Sequence, residues 1–149
     1  MTKRSAQHGT IRLERRYKAP PNRVFAAWAE PEARAKWDVP GRWVIAEQTF
    51  DFREGGHELK RFGPKGDPRL VADTLYLDIV PPHRIVFSYS MNSRGTPISV
   101  SLTTIEISAA AKETHLLFTE QIAFLDGQDN AANREEGLAS MLDKIGKTL

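Results

Sequence analysis

Along residues 10–18, apolar Ile11, Leu13 and Tyr17 alternate with Arg12, Glu14, Arg16 and Lys18, the period of a half-buried strand. Arg15 falls on the apolar parity of that strand. Pro20-Pro21 ends it, and a proline in the first turn of a helix sacrifices no hydrogen bond. Val24, Phe25 and Trp28, at i, i+1 and i+4, then predict a short helix. Pro31 breaks it and opens another turn carrying Ala33 and Trp37. From Trp43 the period becomes two, with strands predicted over residues 43–52, 57–62, 70–80, 85–91, 98–107 and 114–124. Turn signals separate them: Glu54-Gly55-Gly56, Gly63 to Pro68, Pro81-Pro82, Ser93-Arg94-Gly95 and Ala109 to Glu113. In the last strand Leu116, Phe118, Ile122 and Phe124 share a parity that Glu120 interrupts. Asp129 or Asn130 can cap a helix that runs to the end. Its stripe is Leu138, Met141, Leu142, Ile145 and Leu149, whereas residues 131–137 carry no large apolar side chain.

The order of strand, two short helices, successive hairpin-linked strands and a long helix predicts an α+β domain. In it, a curved antiparallel sheet of about six or seven strands grips the C-terminal helix. The chain of 149 residues suits one domain, 1–149, with residues 1–9 expected as a flexible tail. A formal net charge of +2, spread among interleaved acids and bases, is no nucleic-acid footprint. Lys3 and Arg4 are read as solvated tail residues. The absence of cysteine removes disulfides and thiolate chemistry. No stretch is long and apolar enough to enter a membrane, and no apolar run follows the basic start, so a cytoplasmic location is the default expectation.

Several segments together carry a resemblance: Arg15-Arg16-Tyr17-Lys18-Ala19-Pro20, Val24-Phe25-Ala26-Ala27-Trp28, Pro31 and Trp37, and Asp51-Phe52-Arg53-Glu54-Gly55-Gly56. Further on come the run from Asp78 to Phe87, Thr119-Glu120-Gln121, Gly137-Leu138 and Leu142-Asp143. In this order and spacing the chain resembles the START-like, birch-pollen-allergen-like superfamily. Within it, the chain is similar to the branch of the C-terminal domain of the activator of the heat-shock-protein-ninety ATPase. The resemblance implies a helix-grip fold with an internal pocket. It also implies a range of roles: ligand binding, polyketide-cyclase-like catalysis, chaperone contact, and homodimerisation by analogy with relatives. Leu138 stands where many relatives have tryptophan, a change that alters the pocket's shape.

Arg15 and Glu120 are charges on apolar parities, where burial is costly without a partner. If the first and last strands are neighbours, as the resemblance implies, the two can meet, either as a polar anchor for a ligand or as a structural ion pair. Trp28, Trp37, Phe52, Tyr76, Phe87, Tyr89, Met91 and Phe118, with Leu138 and Met141 on the helix, are candidates to line a pocket, against ordinary core packing. Glu120 with Tyr76 or Tyr89 is the acid/base pair of a cyclase-like alternative. The four histidines lack metal-ligand spacing, and the nucleophile-elbow and phosphate-loop patterns are absent. Asn133-Arg134-Glu135-Glu136 reads as a solvated helix start. The expectation is a domain that binds a hydrophobic or amphipathic small molecule, with no cofactor and no catalytic motif.

Overall fold

The computed structural model describes residues 4–149. Strand β1 (Ala6–Tyr17) is followed by helices α1 (Pro21–Ala29) and α2 (Pro31–Arg34). Strands β2 (Val44–Phe50), β3 (His57–Gly63), β4 (Leu70–Val80), β5 (Arg84–Ser93), β6 (Thr96–Ala110) and β7 (Glu113–Leu125) come next, and helix α3 (Ala131–Thr148) closes the chain. The seven strands form one sheet in the order β1-β7-β6-β5-β4-β3-β2, antiparallel throughout. The two short helices therefore carry the chain from one edge of the sheet to the other. This is the predicted α+β helix-grip architecture. The first strand begins earlier than its alternation suggests: Ala6 to Gly9, expected in a tail, pair with β7. Ser5 donates its backbone N–H to Asp126 at 2.8 Å, and Arg4 pairs with the same carboxylate. Residues 1–3 of that expected tail, Lys3 among them, lie outside the described residues.

Curvature comes from irregularities in the ladders. Register shifts occur at Ile45/Glu47, Tyr76/Asp78 and Met91/Asn92, and an extra residue on one strand bends and twists it. Leu77 sits in the second of these, on the outward parity it shares with exposed Asp73, while Ala72, Thr74 and Tyr76 face inward. The β2–β3 turn requires both of its glycines. Gly55 has φ +80°, and a Cβ on Gly56 would collide with the Asp51 carbonyl.

One end of the concave face is solidly packed. Val24, Trp28, Ile105, Leu116, Phe118, Leu142 and Ile145 are all buried there. Hydrogen bonds pin the layers: Trp37 Nε1 donates to the Ala27 carbonyl at 2.9 Å, and the Tyr17 hydroxyl to the Leu142 carbonyl at 2.7 Å. Tyr17 also explains Gly146, since a Cβ there would stand 3.1 Å from its ring. Asn130 caps α3, accepting from the Asn133 N–H at 2.8 Å.

Candidate functional site

The other end of the concave face is hollow. Between the sheet and α3 lies a cavity of about 920 Å³. Its existence follows from side-chain size. Along α3, Asn133, Gly137 and Ser140 face the space between the larger Arg134, Leu138 and Met141, and nothing lies within 4 Å of a Cβ built on Gly137. The facing β4 positions, Ala72 and Thr74, are equally small. An aromatic ridge, Tyr76, Phe87 and Tyr89, crosses the floor with ring centroids 5.7 and 6.1 Å apart. All three tryptophans of the chain, Trp28, Trp37 and Trp43, stand on the wall.

Two buried polar clusters border the hollow, and each is a tyrosine donating to a glutamate that an arginine also holds. In the first, α2 presents Arg34, whose Nη2 donates to both Glu58 oxygens at 3.0 Å and to Asp38 at 3.3 Å. The Tyr76 hydroxyl donates to Glu58 Oε1 at 2.8 Å, Gln48 donates to Glu58 and Asp38, and Lys60 donates to Asp38 at 2.8 Å. The Arg34 guanidinium lies over the rings of Trp37 and Phe50. Burial opposes its charge, yet Asp38 and Glu58 together outweigh that and raise its pKa. Two cations and two carboxylates balance, so this cluster clamps α2 onto β3.

In the second cluster, Glu120 is 1 % exposed. It accepts from Thr103 at 2.8 Å and from the Tyr89 hydroxyl at 2.9 Å. Arg134 of α3 reaches down to it at 3.4 Å, and donates to the Tyr89 oxygen at 3.1 Å, Ser99 at 2.7 Å and Asp129 at 3.1 Å. Burial pushes the Glu120 carboxyl above its ordinary value, and the bonds from Thr103, Arg134 and Tyr89 pull it only part of the way back. Burial likewise raises the Tyr89 phenol, aided by the neighbouring Glu120 charge, so it keeps its proton.

Trp28, Trp37, Tyr76, Phe87, Tyr89, Met91, Phe118, Glu120, Leu138 and Met141 all stand on the cavity wall. Phe52 does not; it packs edge-on against Tyr76 and Phe25 behind the floor. Arg15 and Glu120 do not meet, although their strands are neighbours. The β1–β7 register places Arg15 opposite Leu116 and Glu120 opposite Ile11. Arg15 instead bonds Asp143 of α3 at 2.7 Å and the Ala139 carbonyl.

The partner of Glu120 is Arg134, 8 % exposed and not part of a solvated helix start. Its signal was spacing: residue 134 is one helical turn before Leu138, on the stripe that continues through Met141 and Ile145. Arg34, Asp38, Glu58 and Lys60 were also missed. In β3, Glu58 and Lys60 share the parity of buried Phe62, while Leu59 points outward and is exposed. That inverted alternation was legible.

Among proteins of known structure, the chain is similar to protein Mll3558 from Rhizobium loti, at 44% identity and TM-score 0.90 over 97% of this chain and 99% of that one. It is similar to an uncharacterized protein from Rhizobium leguminosarum at 39% identity and TM-score 0.89, covering 99% and 97%. Protein CV1439 from Chromobacterium violaceum shares 26% identity at TM-score 0.78, covering 93% and 94%. Residues 18–149 match the family described as Activator of Hsp90 ATPase homolog 1-like protein. No curated protein matches the chain.

Proposed function

The chain belongs to the Activator of Hsp90 ATPase homolog 1-like protein family, and from that premise we propose that it binds a small amphipathic molecule between its concave sheet and α3. The observation that carries this reading is the hollow of about 920 Å³, with an aromatic floor and buried polar groups at its border. Small-molecule sites have this character: a mostly apolar concavity of several hundred Å³ with a few fixed polar groups. Both oxygens of Glu120 are already engaged by donors, which favours holding a ligand over shuttling its proton.

The tryptophans provide the test, because all three border the cavity. Titration with a panel of fatty acids, sterols, aromatic alcohols and aromatic ketones should give, for at least one class, saturable quenching and a raised melting temperature. Gly137→Phe, which places a ring in the hollow, should abolish that response while the protein stays folded. Binding that survives this substitution unchanged lies elsewhere, and the reading then fails.

A further inference from the structure

We infer that the ligand is an amphipathic anion, and that Lys144 receives its charged head group beside residues 38–43 while its apolar body lies beneath Gly137. This inference rests on the binding reading above and names the ligand class for that site. Charge on the cavity wall is unevenly divided. On one side, α2 with the turn after it, β3, the approach to β4 and the second half of α3 contribute Arg34, Lys60, Arg69 and Lys144 against Asp38 and Glu58. On the other, β7, the turn after it and the first half of α3 contribute Glu120, Asp129 and Glu136 against Arg134 alone. Strands β6, β5 and β4 stand between β7 and β3. Glu136 is exposed and stands about 12 Å along α3 from Lys144, at 1.5 Å per residue. An anionic head group is therefore drawn to the first side and repelled from the second.

Within the first side, pairing singles out one base. Arg34 and Lys60 are matched by Glu58 and Asp38. Lys144 is not matched. Its Nζ donates to the Val39 carbonyl at 2.8 Å, its chain neighbour Asp143 belongs to Arg15, and no carboxylate among the described residues pairs with it. An ammonium has three protons to give, so donors remain. Arg69 and Arg94 share one carboxylate, Asp67, which leaves a further positive charge in excess nearby. These cations gather round residues 38–43. Lys60 donates to the Asp38 carbonyl at 3.1 Å, next to the carbonyl that Lys144 holds. Its Nζ lies 4.6 Å over the Phe62 ring, Phe62 packs against Trp43 at 6.1 Å, and Arg69 lies 5.7 Å over Trp43. A half-buried ammonium without a counter-charge, at the border of an apolar hollow, gives a carboxylate a charge-assisted hydrogen bond that a neutral head group lacks.

The test uses three probes on one alkyl chain: octanoate, octan-1-ol and octylammonium. Their affinities are measured by calorimetry in low salt at about pH 8, where the acid and the amine are both ionised. In the unmodified protein octanoate should bind about five- to tenfold more tightly than octanol, and octylammonium most weakly. Lys144→Gln keeps a donor for the Val39 carbonyl and removes the charge, so octanoate should fall to parity with octanol. Lys144→Arg keeps the charge and should keep the preference. Each comparison is a ratio within one protein, so a change in stability does not mimic it. Equal binding of octanoate and octanol by the unmodified protein overturns the assignment and leaves the cavity reading standing. So does a preference for octanoate that Lys144→Gln leaves intact. Octylammonium binding best overturns it in favour of the carboxylates. Silence of octanoate while another class in the panel above binds overturns the head-group assignment alone, whereas silence of probes and panel alike sinks both readings.

Discussion

Two arginines reach between α3 and the sheet, and burial separates them. Arg134 has a side chain 8 % exposed and meets Glu120 and Asp129, whereas Arg15 meets Asp143, whose side chain is 62 % exposed. Removing one partner of a buried pair leaves an uncompensated charge, so Arg134→Met should cost about 3 kcal/mol. Water replaces the lost partner at the surface, so Arg15→Met should cost no more than about 1 kcal/mol. Urea denaturation of both variants measures the contrast, and equal losses would contradict it. Arg15 and Glu120 stood out in the sequence for the same reason, an apolar parity, whereas Arg134 did not. Parity fixes the face of a strand but not the register between strands, and register decided which partner each found. Glu120 also sets a pH dependence. Its folded carboxyl sits above the ordinary value of 4.5, so over that window the folded state binds more protons than the unfolded chain. The stability it contributes is whole below the ordinary value and is lost as pH rises through the folded one. Tyr89 and Arg134, the other titrating groups against it, are both shifted upward from already high values and do not compete in this window. Melting temperatures of the unmodified protein and Glu120→Gln, followed upward from that value, should therefore diverge, with the unmodified protein losing ground. Parallel curves would refute this.

Within α3, two glycines sit in opposite surroundings. Gly137 faces the hollow, with nothing within 4 Å of a built Cβ, while at Gly146 a Cβ would press on the Tyr17 ring at 3.1 Å. Alanine is the better helix former by about 1 kcal/mol. Gly137→Ala should accordingly stabilise the protein by about 0.5–1 kcal/mol. At Gly146 the same gain is set against displacement of Tyr17, whose hydroxyl anchors the Leu142 carbonyl, so the net effect should be destabilising. Chemical denaturation of the two variants gives the signs, and a shared sign would show that propensity alone governs this helix. Elements of this kind were open to sequence reasoning because period and turn chemistry are local. The strand at 98–107 was drawn short of Thr96–Ala110, because its ends carry serine, threonine and alanine, which pair in a ladder without announcing burial. The inverted β3 escaped notice for a related reason. Its inward charges, Glu58 and Lys60, become affordable only through Arg34 of α2 and Asp38 of the turn after it, which arrive from a segment distant in sequence.

At the scale of the whole molecule, the concave face is divided between a packed end and a hollow end, and one helix spans both. In its second half α3 buries Leu142 and Ile145 completely, against the cluster that includes Ile105, Leu116 and Phe118. In its first half the only buried residue is Arg134, and apart from partly buried Leu138 what holds that half down is polar. The lack of bulk over residues 131–137 was visible in the sequence. The volume beneath it was not, since that depends on Ala72 and Thr74 arriving opposite through sheet register. Local opening is easiest where few apolar contacts must be broken. Amide hydrogen exchange should therefore be fast over residues 131–137 and slow over 141–146, although both lie in one continuous helix. A ligand bridging the floor and the first half of α3 would supply the missing contacts. Saturation should slow exchange at 131–137 and leave 141–146 nearly unchanged. Uniform protection along the free helix would mean that Arg134 and its partners hold the first half as firmly as the core holds the second. In that case the cavity would be a rigid chamber, and its occupant would have to enter by another route than the lifting of α3.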